Sequence, residues 1–281
     1  ERGLKESPES ASYLGDKRYN RQWDDVSLDA VARQHQHRIE TLRELNQIPR
    51  DQLSAAQRLN YDLFRWQLEM QVQGYQYGWH LVPLTMREGI QTADQLGSVL
   101  QFQSRQDFED WIARLPAFPT AEDQSIAQMR EGIRRGLVQP KVIMQRIPGQ
   151  LEHQIVSDET ESPFYKPFRS MPESLSAADQ ETLRADAREA INRSVVPAYR
   201  RFLKFFTEEY LAAAPEAIGM SHWPDGAAHY AHRAKLFTTT DLTPREIHDI
   251  GMAEVGRIRR EMEQVMRAAG WTKSFEEFLT Y

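Results

Sequence analysis

The stretch that decides the fold reads TTTDLTPREIHDIGMAEV and spans residues 238–255. Within it, Thr243-Pro244-Arg245-Glu246 is typical of a helix start, because threonine can cap a free backbone N–H, proline suits the first helical position, and the glutamate closes a capping box. Apolar side chains then recur at helical spacing up to Gly270, at Ile247, Ile250, Val255, Ile258, Met262 and Val265. This segment therefore predicts one long amphipathic helix.

The same combination of a capping residue and a helical apolar period recurs outward along the chain. Ser27, Ser104, Thr120 and Ser176 each precede such a period, and another runs over residues 54–73. Pro197 falls inside the apolar period that follows Ser176 and predicts a kink or break near Val195. The best candidate for a strand, HLVPLTM at residues 80–86, is short. We expect an all-α, multi-helical fold of long, mostly antiparallel helices.

Composition shifts suggest three segments. Residues 1–25 are polar and irregular, and we expect an extended lead-in. Residues 26–172 form a helical N-terminal subdomain that closes with a proline-bearing stretch, and residues 173–281 form a long-helix subdomain. Ser274 and Glu277 open another helix with a capping box, and the sequence stops at Tyr281. We expect the chain to be the N-terminal portion of a longer protein, truncated within this subdomain; the alternative is a short final helix docked on the body.

Charge and composition exclude several classes of function. The net charge is −6, from 41 acidic and 35 basic residues, which argues against nucleic acid as a partner. No apolar run approaches the roughly 18 residues of a membrane helix, so we expect no transmembrane segment. The chain has no cysteine, which excludes disulfides, thiol catalysis and cysteine-based metal sites.

An HExxH zinc site requires a glutamate directly after the first of two histidines that lie one helical turn apart. None of the eight histidines is followed by glutamate: His35, His37, His80, His153, His222, His229, His232 and His248. The motif is absent, and we predict no catalytic residue in this chain. His229 and His232 could share a helix face and bind a metal, but a structural histidine pair is the favoured interpretation.

Three pieces of the sequence carry a resemblance to a known family. They are SPESASYLGDKRYN near the start, PDGAAHYAHRAKLFTTT at residues 224–240, and LTPREIHDIGMAEVGRIRREM at residues 242–262. The chain resembles the bacterial family called "domain of unknown function 885", whose members look like zinc metallopeptidases of the HExxH type and are in many cases exported lipoproteins. In that family the metal motif lies further toward the C-terminus than this chain runs, and this chain has His229-Tyr230 where the family tends to show a tyrosine pair.

The resemblance implies a role for this chain in a larger hydrolase. It would form part of the substrate cleft of a zinc-dependent, peptidase-like protein, contacting the C-terminal remainder of the same protein and a peptide substrate. By the same resemblance, zinc would bind the full-length protein and not this chain alone, the protein would lie in the periplasm or cell envelope, and this chain alone would be inactive. The alternatives are a non-catalytic, peptide-binding envelope protein and a helical interaction protein.

The candidate substrate-binding residues lie in and around the quoted stretch: Tyr230, Thr239, Thr240, His248 and Glu254. Threonine hydroxyls and backbone N–H groups could hold a substrate backbone, or the same hydroxyls could bond locally within a turn. His248 could donate to a ligand, or could be a satisfied histidine at a helix contact. These five residues stand as hypotheses on the resemblance.

Overall fold

The computed structural model describes residues 1–281 and contains only helices and turns. It is 73% helical with no strands, which confirms the all-α prediction. Sixteen α-helices follow one another: α1 Arg2–Glu6, α2 Pro8–Tyr13, α3 Leu28–Leu45, α4 Ala55–Gly74, α5 Leu96–Val99, α6 Arg105–Arg114, α7 Phe118–Arg134, α8 Lys141–Met144, α9 Ile147–His153, α10 Lys166–Arg169, α11 Ala177–Ala190, α12 Val196–Phe205, α13 Leu211–Ala213, α14 Gly226–Thr238, α15 Pro244–Ala268 and α16 Phe275–Thr280.

The chain divides into two compact units. The first spans Glu1–Pro224 and the second Asp225–Tyr281. The boundary expected from composition, at residues 172/173, lies inside the first unit, where α10 packs against α11. The contact across that boundary is part of one core. The prolines at residues 157–172 therefore lie in a structured segment of that core.

The lead-in is mostly helical up to Tyr19, through α1, α2 and a 3-10 turn at Lys17–Tyr19, which corrects the expectation of an extended segment over that part of residues 1–25. Pro8 occupies the first turn of α2, where its missing N–H costs nothing, and Ala11 and Ser12 of the same helix are buried. Ser12 Oγ donates to Asn20 Oδ1 at 2.8 Å, which holds the following turn against α2. Short local bonds of this kind order a polar segment that shows no apolar period.

Aromatic side chains form the core of the first unit. Four buried rings are central to it: Trp111 on α6, Phe118 on α7, Tyr199 on α12, and Phe164 in the 3-10 turn Pro163–Tyr165. The Phe164 ring contacts those of Trp111 and Phe118, and the Phe118 ring contacts that of Tyr199. The indole Nε1 of Trp111 donates to the carbonyl of Phe164 at 3.1 Å, so its one polar group is satisfied. α11 packs against α6, and α12 packs against both α7 and α9. This core supports the loop segment at residues 83–96 described below.

Two sequence-derived boundaries are confirmed by their caps and one is corrected. Ser27 Oγ accepts from Ala30 N at 3.2 Å and begins α3, and Ser54 forms a capping box that begins α4. The predicted start of α7 at Thr120 is wrong. The helix begins at Phe118, because Pro119 lies in its first turn and a 3-10 turn links it directly to α6. HLVPLTM forms no strand, since its first residues lie in a 3-10 turn.

The predicted kink near Val195 takes the form of a π-helical turn. Residues Ile191–Val195 are π-helical and lead into α12, which carries Pro197 in its first turn. Inserting an extra residue per turn is how a helix accommodates a proline without a clash with the preceding turn. A second π-helical turn, Phe206–Tyr210, follows α12.

The second unit contains α14, α15 and α16. Thr243 Oγ1 accepts from Glu246 N at 3.2 Å and the Glu246 carboxylate accepts from Thr243 N at 2.7 Å, so the predicted capping box begins α15 as expected. Of the 25 residues of α15 only Met266 is buried. The apolar stripe that defined this helix in the sequence is therefore mostly exposed to solvent. The exposed fractions are 64% for Val255, 45% for Ile258 and 66% for Val265.

Candidate functional site

Three cavities in the first unit adjoin one another along residues 83–96. Their volumes are about 460, 820 and 470 Å³, and Arg87 lines all three. Thr92 and Gln95 line both the first and the second cavity, and Arg146 lines both the second and the third. The shared residues make these cavities one groove, which we call the Arg87 groove. Cavities of this size are typical of small-ligand sites.

A tight turn places Arg87 at the centre of the groove. Thr85 N donates to the carbonyl of Glu88 at 2.8 Å, and Thr85 Oγ1 accepts from the backbone N–H groups of Arg87 and Glu88 at 3.2 and 3.0 Å. Gly89 follows with φ 133°, and a Cβ there would lie 2.6 Å from Gln91 Oε1 and 3.1 Å from the Pro83 carbonyl. Only glycine fits this position, so the turn is fixed by its own residues.

The first cavity is acidic. Glu9, Asp24 and Glu88 line it together with the rings of Tyr13 and Trp23. Glu9 N donates to Asp24 Oδ1 at 2.9 Å. Burial, and next to it the charge of Asp24, raise the pKa of Glu9 above its usual value. We call this part of the groove the acidic cavity.

Arg114 lies in the protein interior close to these acids. It is fully buried, its Nη2 donates to Ser12 Oγ at 2.9 Å and to the Tyr19 carbonyl at 3.2 Å, and its guanidinium lies over the Trp23 ring at 5.4 Å. Burial lowers the pKa of Arg114 to about 10, although the charges of Glu9 and Asp24 oppose this. The arginine therefore ties the helical lead-in to α6 and offsets part of the negative charge of the acidic cavity.

The second cavity is lined by amide and cationic side chains, and we call it the amide cavity. Gln154 Nε2 donates to Asp94 Oδ1 at 2.8 Å and to the Gln91 carbonyl at 3.2 Å, which fixes the amide orientation. Burial raises the pKa of Asp94, so its charge is disfavoured. Further residues that line this cavity include Arg87, Arg146, Gln150 and His153. The third cavity adds apolar surface from Val142 and Ile143.

The sequence-predicted residues all lie in the second unit. Tyr230 is on α14 and is 53% exposed, and Thr239 and Thr240 form the turn after that helix. His248 and Glu254 lie on α15, where Glu254 forms an ion pair with Arg257 at 2.8 Å. All five side chains are accessible.

The threonine turn is bonded internally. The hydroxyl oxygens of Thr238 and Thr240 lie 2.9 Å apart, Thr239 Oγ1 donates to the Thr238 carbonyl at 2.7 Å, and Thr240 N donates to Thr238 Oγ1 at 3.3 Å. Thr239 has φ 57°, a left-handed conformation that is costly for a β-branched residue. Local bonding of the hydroxyls agrees with a turn-forming role, and the strain at Thr239 marks the turn as a constrained feature.

The histidine pair and the wider chain do not fit a zinc site. His229 is buried and its pKa is lowered to about 4, by burial first and then by the charges of Arg233 and His232. No group of three or more His, Asp or Glu side chains is placed to hold one metal ion. We therefore derive no chemical step through zinc from the residues of this chain.

Sequence reasoning missed the Arg87 groove. Two features of the sequence pointed to an irregular segment there, namely Pro83 and Gly89 between two helices. Neither identifies a ligand site, because the groove also needs Glu9 and Asp24 from the lead-in and Gln154 from the end of α9. These residues are far apart in the sequence and meet only in the folded chain.

The comparisons with known proteins define the family. Residues 8–281 match the family described as "Bacterial protein of unknown function (DUF885)", and the chain belongs to it. A solved structure is similar in fold, with a TM-score of 0.84 and 18% sequence identity: "The crystal structure of the putative lipoprotein from Colwellia psychrerythraea". The match covers 96% of this chain and 49% of that one, so the chain spans about half the length of that structure.

No curated protein matches the sequence. None of the helices combines the length and apolar character needed to cross a bilayer.

Proposed function

We propose that this chain is the substrate-recognition part of a longer, peptidase-like protein of the bacterial cell envelope, and that it binds peptide in the Arg87 groove. The observation that carries the proposal is the groove itself, three adjoining cavities that combine charged, amide and apolar walls. A peptide offers backbone hydrogen-bond donors and acceptors together with apolar side chains, which suits such walls. Placement in the envelope is supported by the description of the similar structure as a lipoprotein.

The proposal assigns binding to this chain and the hydrolytic step to the remainder of the protein. Zinc, as the resemblance to HExxH-type peptidases implies, would be held by that remainder. The candidates Tyr230, Thr239, Thr240, His248 and Glu254 remain a second proposed contact surface for the substrate, and their exposure supports this role. A protein that binds peptide without hydrolysis would use the same groove.

Calorimetric titration of the 281-residue chain with tetra-alanine tests the proposal. We expect saturable binding and no cleavage, with or without a chelator. Gln95 is exposed and lines both the acidic and the amide cavity, so Gln95→Trp fills the groove and should abolish binding. Gln71→Trp, at an exposed position on α4, is the matched control and should bind as the parent does. Absence of binding by the parent chain would refute the proposal, and chelator-sensitive cleavage by this chain would refute the division of roles.

A second function is favoured by the exposed stripe of α15. Val255, Ile258, Met262 and Val265 lie within one side of the helix, and apolar stripes of this kind mark interaction surfaces. We propose that the remainder of the same protein covers this stripe, because the similar structure has about as many residues again as this chain matches. Co-expression of the two parts should yield a complex, and Ile258→Glu with Val265→Glu should dissociate it. A complex that withstands both substitutions would contradict this role.

A further inference from the structure

Three aromatic rings stack where α3 meets the turns that follow α4. The centroids of the His35 ring on α3 and the Tyr75 ring lie 3.8 Å apart, with 8° between the ring planes. The His80 ring stacks on the same tyrosine, with a centroid distance of 5.2 Å and an angle of 11°. Tyr75 and His80 lie in two successive 3-10 turns after α4. A single tyrosine therefore joins two histidines that are far apart in the sequence.

Few buried side chains hold α3 in place. Ala30 is the buried residue of this helix, and α4, against which it packs, buries Tyr61, Leu68 and Met70. The stack on His35 lies near the middle of α3, beyond the reach of Ala30. An element with little buried apolar surface opens locally at a lower free energy than the core does. The ring stack is therefore an important part of what keeps α3 docked.

The surroundings of the two imidazoles disfavour their charged forms. His35 Nδ1 is enclosed and has no hydrogen-bond partner. In a protonated imidazole both nitrogens carry a hydrogen, so this position would become a donor without an acceptor. Two imidazolium rings stacked on one tyrosine would also repel each other. The attraction of a cation to the tyrosine face opposes these two effects.

The charged neighbours of the stack are mostly cationic. Arg38 on α3 is the charged neighbour of His35, and Arg135, which ends α7, is close to His80. Glu131 of α7 opposes Arg135 in part, whereas a charge on His35 would act on His80 as Arg135 does. Burial first, and these cationic groups next, lower the pKa of both histidines below the usual 6.5.

We infer that His35 and His80, stacked on Tyr75, form an acid-sensitive latch that holds α3 to the turns after α4 and releases the helix when the imidazoles are protonated. In the released state the imidazoles are solvated and titrate near 6.5, above their pKa values in the stack. Between those values the released state binds more protons than the docked state, so a fall in pH favours release. Above this interval the imidazoles are neutral in both states and the stack is intact.

Amide hydrogen exchange of the 281-residue chain at about pH 5 and about pH 7.5 tests the inference, with each rate corrected for the intrinsic pH dependence of exchange. We expect the opening constant of α3 to rise on acidification. The rise is at most about tenfold per histidine for each pH unit over which the two states differ in protonation. His35→Phe and His80→Phe each keep a stacked ring without a titrating nitrogen, so each should show a smaller rise than the parent.

The matched control is His37→Phe on the same helix, because the His37 ring lies beside Thr41 Oγ1, at 3.4 Å, and outside the stack. It should retain the pH dependence of the parent. An opening constant of α3 that is equal at the two pH values in the parent would overturn the inference, and so would a rise that both stack variants retain in full.

An NMR titration of the imidazole resonances of the parent gives a measurement that needs no variant. The resonances of His35 and His80 should titrate below pH 6.5. Titration of either ring at or above that value would remove the linkage between protonation and release, and with it the latch.

Discussion

Replacing Glu122 by glutamine should change the way in which stability depends on pH. The Glu122 side chain on α7 is fully buried, its Oε2 lies 2.8 Å from Arg201 Nη2, and its Oε1 has no hydrogen-bond partner. Burial raises the pKa of Glu122 to about 8, and the charge of Arg201 offsets this only in part. The carboxyl group is therefore protonated in the folded chain at pH values where it is ionised in the unfolded chain.

The sign follows from proton linkage. Between about pH 4.5 and 8 the unfolded state binds fewer protons than the folded state, so the free energy of unfolding falls as the pH rises. The pKa of Glu122 in the folded chain exceeds its usual value by the gap between those two values. At about 1.4 kcal/mol per pKa unit, this gap lowers the free energy of unfolding by on the order of 5 kcal/mol once the pH exceeds 8. Glutamine has no such proton, so Glu122→Gln should match the parent near pH 4.5 and exceed its stability above pH 8.

Urea unfolding at several pH values measures this difference. Glu131→Gln is the matched control on the same helix, because Glu131 is paired with Arg134 and its pKa is lowered, so its removal should not stabilise the chain at high pH. A difference between Glu122→Gln and the parent that stays constant from about pH 5 to about pH 8.5 would refute the reasoning.

Three further predictions concern single positions. Thr239→Gly should raise the thermal stability of the second unit by about 1 kcal/mol, because it relieves a left-handed threonine, whereas Thr240→Gly should not; equal shifts would contradict this. Arg114→Ala should cost about 3 kcal/mol in urea unfolding and speed proteolysis within residues 1–25, and an unchanged cleavage rate would show that the arginine does not tie down the lead-in. Gly132→Ala should lower the free energy of unfolding by about 2 kcal/mol or more, because the new Cβ would lie 2.6 Å from the Leu81 carbonyl oxygen. Gly149→Ala, at a position with open space around it, should leave the stability unchanged or raise it.

The helices could be predicted where local chemistry determines them. Ser27 and Thr243 begin α3 and α15 through the hydrogen bonds that their side chains were expected to make. Pro197 caused the expected irregularity, although the sequence could not specify that a π-helical turn would absorb it. The start of α7 was missed because Pro119 and a preceding 3-10 turn compete with Thr120 as a start signal.

The groove could not be predicted, because its parts acquire their roles only through burial and contact. Arg114 looks like an ordinary charged residue on α6, yet it is fully buried. Arg87 matters because the cavities that it lines also need residues of the lead-in and of α9. Tertiary packing decides both facts, and neither leaves a local pattern in the sequence.

The central claim, that residues 83–96 form a peptide-binding groove, is tested most directly by amide hydrogen exchange of the 281-residue chain with and without saturating tetra-alanine. We predict slower exchange at residues 83–96 and in α9, and unchanged exchange in the α3 and α4 helices. Protection confined to α14 and α15, or no protection at all, would contradict the claim.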